Sequence, residues 1–460
     1  MDTTTPTTTA AGRSADPAGR RFPADFVWGA ATSSFQIEGG ADAGGRGLSI
    51  WDVFCRLEGV ILDGSDGRLA CDHYTRYADD VELMRRLGLG AYRFSVAWPR
   101  VVPGGRGAVE TRGLDFYDAL VDALLDAGIV PLPTLYHWDL PQALEDDGGW
   151  TVRTTAEAFA DYAEAVVGRL GDRVPTWMTL NEPMVSAHHG YVSGEHAPGR
   201  RSLRDGLAAA HHLNVAHGLA LERIRTLAPH AEAGIVLNFT PAEPADDSPE
   251  AIARCETVDD FENRWYIEPI AGLGYPRRTV ERFDWDRAEV LDGDLELIAR
   301  PIDVLGVNFY TRQFVAADEE AVVEPPGPTT AMGWEIHPDS LRRLLIGLHE
   351  RYAFPKLLIT ENGAAMPDVD RVGGRSDGQV DDQDRIEYLR GHLTAVHDAI
   401  EAGVPVRGYF VWSLMDNFEW GWGYSARFGI IEIDPDTKDR RPKRSADWYA
   451  SVVRSGVVPT

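Results

Sequence analysis

Two glutamates stand out because each ends an apolar run. In Leu357-Leu358-Ile359-Thr360-Glu361-Asn362-Gly363 the three apolar residues suit a strand buried on both faces, and the run stops at a carboxylate, an amide and a glycine. Thr176-Trp177-Met178-Thr179-Leu180-Asn181-Glu182-Pro183 has the same layout, with proline ending the strand. A charge at the end of a buried strand is costly unless it is paired or solvated. Parallel-barrel enzymes put reactive groups at the C-terminal ends of their strands. The plainer alternative is a helix cap, in which the same side chains satisfy free backbone N–H groups. One stretch alone leaves these readings level. Two strands each ending in asparagine plus glutamate is what hydrolysis of a glycosidic bond by paired carboxyl groups requires.

The rest of the chain must position those ends. From Phe22 onward strand and helix patterns alternate, which predicts βα units and a parallel sheet. Strands are expected at Phe26–Ala30, Ala91–Ser95, Val130–Tyr136, Thr176–Glu182, Ala233–Asn238, Asp303–Tyr310, Leu357–Glu361 and Val406–Trp412. Amphipathic helices are expected between most of them, among them Asp80–Leu87, Leu114–Ala127, Leu207–Leu227, Ala251–Asn263, Ser340–Arg351 and Asp384–Ala402. Eight such units predict an α/β fold, a single (β/α)8 TIM barrel with long βα loops over residues 22–460. Met1–Arg21, rich in Thr, Ala and Pro and without the apolar core of a signal peptide, is expected to be a disordered tail. Long surface loops are expected at Pro325–Pro328 and over the Gly/Asp-rich Asp370–Asp382.

Composition removes several classes of function. The formal net charge is −27 with no basic run, so nucleic acid and anionic membrane are poor partners. Only Lys356, Lys438 and Lys443 are lysines, and Lys356 precedes its strand, so a Schiff-base aldolase is disfavoured. The three cysteines, Cys55, Cys71 and Cys255, have no C-x-x-C spacing, which fits a reducing, cytoplasmic location. No apolar run is long enough to span a membrane. H-x-H at a strand end, H-E-x-x-H and phosphate-cradling glycine motifs are all absent, so neither metal nor cofactor is expected.

The strand ends carry Gln36, Arg93, His137, Trp138, Asn181, Glu182, Asn238, Asn308, Tyr310, Glu361, Asn362 and Trp412. Amides and carboxylates suit hydroxyls, and indoles suit the C–H face of a sugar ring. These stretches are also recognisable. From Phe22 to Tyr449 the chain resembles glycoside hydrolase family 1, the β-glucosidase family. The resemblance rests on Phe35-Gln36-Ile37-Glu38-Gly39, Tyr92-Arg93-Phe94-Ser95, Tyr136-His137-Trp138-Asp139-Leu140-Pro141, Asn181-Glu182-Pro183, Thr360-Glu361-Asn362-Gly363 and Trp412-Ser413-Leu414-Met415-Asp416-Asn417-Phe418-Glu419-Trp420, all in order.

The resemblance implies a retaining mechanism with Glu361 as nucleophile and Glu182 as general acid/base, Arg93 and Tyr310 keeping Glu361 charged. It further implies that Gln36, His137, Glu419 and Trp420 bind the outer sugar hydroxyls, that Asn181 holds the 2-hydroxyl and that Asn308 supports the acidic centre. Trp412 would be the stacking floor and Trp334 an aromatic wall for the leaving group. A carboxylate at Glu419, with no lysine between Lys356 and Lys438, speaks against a 6-phosphorylated sugar. The expected substrates are small-molecule β-glucosides or cello-oligosaccharides, with galactosides or fucosides as alternatives. Two rivals stay open: a transglycosylase on the same site, and a catalytically silent sugar-binding protein. His211, His212 and His217 fall in a helical pattern, where packing or exposure is the expected role.

Overall fold

Each predicted strand occurs in the computed structural model, which describes residues 19–285, 287–319, 321–368 and 379–460. They are β1 (Val27–Ala31), β2 (Ala91–Ser95), β3 (Val130–Tyr136), β4 (Thr176–Asn181), β5 (Glu232–Asn238), β6 (Val304–Asn308), β7 (Leu357–Asn362) and β8 (Val406–Trp412). All pair in parallel, in the order β7-β8-β1-β2-β3-β4-β5-β6, and the sheet closes on itself. This is the (β/α)8 barrel that the alternation of patterns demands.

The inside of the barrel is filled by small and large residues drawn from every strand. Ala31, Ala91, Leu132, Met178, Val236, Val304, Leu358 and Phe410 form one cluster, with Trp412 and Phe428 in contact above. A much larger cluster lies between the strands and their helices. Long helices such as Thr111–Asp126, Arg153–Leu170, Leu203–Leu227 and Gln383–Glu401 bury one face there. Helix Leu203–Leu227 is buried deeply enough to take His211, His212 and His217 out of solvent altogether, so packing is their role. Among the described residues no helix is long and apolar enough to cross a membrane.

Register sets the active face. Parallel pairing aligns Arg93 with Ala31, Asn181 with Val236, Asn238 with Asn308 and Asn308 with Glu361. The chemistry-bearing residues therefore end at one level of the barrel. Gly363 follows from the same crowding, since a Cβ there would meet the Trp412 carbonyl oxygen at 1.6 Å.

The tail boundary needs correction. Gly19–Arg21 forms a strand antiparallel to Val457–Pro459, and the Phe22 amide donates to the Gly456 carbonyl at 2.9 Å. Phe22 packs on Phe26 and Trp28, with ring centroids 4.7 and 4.9 Å away. That anchor carries backbone pairing three residues beyond the point where composition turns polar. Residues 1–18 of the expected tail, and residues 370–378 of the Gly/Asp-rich loop, lie outside the described residues.

Candidate active site

Glu361 is the penultimate residue of β7 and is buried. Its Oε1 accepts from an Arg93 guanidinium nitrogen at 2.5 Å, and its Oε2 from the Tyr310 hydroxyl at 2.6 Å. Burial, reinforced by the Glu361 charge, holds the Tyr310 hydroxyl well above its ordinary range, so it remains a donor. A cation and a phenolic proton on separate oxygens stabilise the Glu361 anion. Neither Glu361 oxygen is spent on a helix end, and Asn362 donates to the Phe309 carbonyl at 2.7 Å. The capping alternative fails for both.

It fails for Glu182 as well. Glu182 does stand at the start of helix Pro183–Ala187, but its side chain makes no capping bond. Oε1 instead accepts from Asn308 Nδ2 at 2.6 Å. Burial first, and the Glu361 charge second, push the Glu182 carboxyl up, against the pull of Asn308 and Arg93. Of the two forms of Glu182, its surroundings thus favour the protonated one. Its backbone lies in the left-handed region at φ 46°, as do Trp138 at 76° and Trp420 at 47°. Such strain in bulky residues collects at functional sites. All three line one cavity.

One hydrogen-bond chain joins the two carboxyl groups. Arg93 donates to Glu361 and, at 2.6 Å, to Asn181 Oδ1; Asn308 Nδ2 donates to that same oxygen at 3.2 Å and to Glu182. Arginine can only donate, so it dictates which way the Asn181 amide faces. Asn181 Nδ2 then points at His137 Nε2, 3.1 Å away, which must accept. The proton of His137 consequently sits on Nδ1, which has no protein partner. Burial, and next the Arg93 charge, hold His137 well below its usual range, so the ring is neutral.

The cavity measures about 610 Å³ and is lined by Glu182, Glu361, His137, Asn308, Tyr310, Trp334, Trp412, Glu419 and Trp420, among others. Gln36, Arg93 and Asn181 are fully buried behind that lining. Gln36 Nε2 donates to Glu419 Oε2 at 3.2 Å and to the Phe418 carbonyl at 2.9 Å, while Ser33 holds its Oε1 at 2.6 Å. Among the described residues Glu419 has no cation partner, and burial, then the Glu361 charge, push it up to about 8. Trp412 stacks at 17° to the His137 ring. Trp334 is half-buried against Tyr310 and Phe428, with centroids 5.5 and 6.2 Å away. Among the described residues no cluster of metal-ligating side chains occurs.

Several lining residues escaped the sequence reading. Trp138 and Asn238 were visible as strand ends, but His188, His189, His196, Glu262, Arg312, Gln313, Glu335, Trp422 and Phe428 were not. They lie in βα loops, where no periodicity marks a direction. Their only signal is position, just after strands that end in reactive groups.

Known proteins share this chain's sequence pattern and fold. The family described as glycosyl hydrolase family 1 matches residues 18–457. A thermostable β-glucosidase B from Thermobispora bispora is 48% identical over 444 residues, covering 94% of this chain and 90% of that protein. A β-glucosidase from an Agrobacterium species is 44% identical over 442 residues, covering 94% and 95%. A solved family 1 β-glucosidase from Thermotoga maritima superposes with a TM-score of 0.91 at 43% identity, covering 96% of this chain and 100% of that one. With glutamates at the C-terminal ends of β4 and β7 of a closed barrel, and a family match along almost its whole length, the chain belongs to glycosyl hydrolase family 1.

Proposed function

We propose that the protein is a cytoplasmic retaining β-glucosidase that removes terminal, unphosphorylated β-D-glucosyl residues from small β-glucosides and cello-oligosaccharides, a late step in cellulose breakdown. The observation that carries this reading is the pair of buried glutamates in one cavity, linked through Arg93, Asn181 and Asn308, with burial and the Glu361 charge favouring a proton on Glu182. Glu361 attacks the anomeric carbon as Glu182 gives its proton to the departing oxygen. The C1–O bond breaks and a glycosyl ester forms on Glu361. Esterification removes the Glu361 charge, which is the second cause raising the Glu182 carboxyl. Glu182 then becomes a better base after transfer than before it. It takes a proton from water, the water oxygen attacks C1, and β-glucose leaves with Glu361 restored as an anion.

His137, Glu419 and Trp420 are offered to the outer hydroxyls, and Asn181 to the 2-hydroxyl. Trp412 supports the sugar face. Arg312 is the arginine on the cavity wall, and it is already paired with Glu243 and Glu335. A phosphate would meet Glu419 without a free cation, which supports an unphosphorylated substrate.

The test is Glu361→Ala assayed with an activated aryl β-glucoside. Turnover should fall at least 10⁴-fold, a loss on the scale reported for removing a catalytic nucleophile. Azide should restore part of it with α-glucosyl azide as product. Full activity in that variant would remove the mechanism.

A further inference from the structure

Asp139 is fully buried outside the sugar cavity, and little holds it there. The Ser34 hydroxyl donates to its Oδ2 at 2.9 Å, while its Oδ1 has no hydrogen-bond partner among the described residues. The charges that act on it, Arg46 and Glu38, are already paired, with Asp52 at 2.8 Å and with Arg100 at 2.9 Å. Burial accordingly pushes the carboxyl up to about 7. A buried carboxyl with so few partners costs stability, and a well-packed apolar residue would fill the space at less expense. Its use lies in what the one bond connects.

Asp139 follows His137 and Trp138 on the loop after β3, and Ser34 opens helix Ser34–Ile37, which carries Gln36. Ser95, the last residue of β2, locks the same junction: its hydroxyl donates to Ser34 Oγ at 3.0 Å and accepts from the Ser34 amide at 2.7 Å. With Ser95 donating to it, the Ser34 hydroxyl has its single proton free for Asp139. Trp420 touches both segments so joined. Its ring stacks on Phe35 at 9° with centroids 6.0 Å apart, and it lies 4.6 Å from Trp138. Gln36 carries the path on to Glu419. A shift of the short helix against the β3 loop therefore displaces Gln36, Glu419 and Trp420 relative to His137.

We propose that Asp139 is a positioning residue: its bond to Ser34 sets the spacing between His137 and the Gln36 helix, and with it how strictly the site demands the outer hydroxyls of the sugar. This rests on the glucosidase reading. The test is the ratio of kcat/KM for 4-nitrophenyl β-glucoside to that for its 4-deoxy analogue, which lacks one outer hydroxyl. In Asp139→Ala and in Ser34→Ala the ratio should fall about tenfold. Asp139→Asn keeps an acceptor for Ser34, and its ratio should stay within about twofold of the parent's. Loss of folded protein alone lowers both rates together and leaves the ratio unmoved. A ratio within about twofold of the parent's in Ser34→Ala overturns the proposal, and that variant decides where Asp139→Ala does not fold. A ratio in Asp139→Asn as low as in Asp139→Ala also overturns it. A parent enzyme that does not distinguish the deoxy sugar overturns the positioning role and leaves the glucosidase reading standing. A parent inert on the glucoside overturns both.

Discussion

Glu419 is where stability and the proposed sugar binding pull against each other. It is buried, lacks a cation, and is pushed up to about 8, first by burial and then by Glu361. A carboxyl whose folded pKa is raised lends full stability below the ordinary carboxyl range and loses it as pH climbs towards 8. Glu419→Gln keeps the shape and removes the titration. At pH 8 the variant should be more stable than the parent by about 2–4 kcal/mol, and the gain should shrink towards pH 5. Its kcat/KM on a glucoside should drop about 10–100-fold, as loss of a buried hydrogen-bond partner to a substrate hydroxyl does. Thermal unfolding at the two pH values checks the first claim, and a gain independent of pH contradicts it. Asn308 gives a second test. Its amide favours ionised Glu182, so Asn308→Ala should raise the Glu182 carboxyl further. Catalysis needs the protonated form, and the basic limb of the kcat/KM profile should move about one unit to higher pH. A limb that moves to lower pH would show that the amide does not act on the acid.

The loops after β7 and β8 are held by charges that lie outside the cavity lining. Lys443 Nζ is buried and bonds Asp416 at 2.8 Å as well as Asp368, while Arg385 pairs with Asp368 at 3.2 Å and with Asp382. Asp368 lies on the loop after β7 and Asp416 on the loop after β8, so the cluster ties the segment behind Glu361 to the one bearing Glu419. Removing one partner leaves buried carboxylates uncompensated. Lys443→Met should cost about 3–5 kcal/mol in urea unfolding. A loss under 1 kcal/mol would mean that the cluster does not staple the loops. At this scale the sequence was readable in part. Apolar runs located all eight strands, yet helix His73–Leu87 begins seven residues before the expected Asp80, because Tyr74 to Asp79 show little apolar periodicity. The π-helical turns His188–Ser193 and Asp260–Arg264 were invisible, since one extra residue barely alters a period near 3.6.

Across the molecule, the first and last described strands meet. Gly19–Arg21 pairs with Val457–Pro459, and Arg20 reaches Asp398 at 3.2 Å. A chain starting at Phe22 should therefore be less stable than one starting at Gly19 by about 1–2 kcal/mol, measured by denaturant midpoint. Equal midpoints would make the pairing energetically idle. This contact was illegible because Gly-Arg-Arg has no strand signature of its own, and its partner lies at the far end of the chain.

What the sequence determined by itself was local: the eight apolar runs, and the asparagine–glutamate pairs that end two of them. Strand periodicity and side-chain type need no distant partner to be read. Folding decided the proton states. Arg93 reaches Glu361 across 268 residues, and Asn308 reaches Glu182 across 126. Burial and neighbours of that kind exist only once the barrel has closed, and they alone set the two glutamates apart, as the proposed acid and nucleophile roles require.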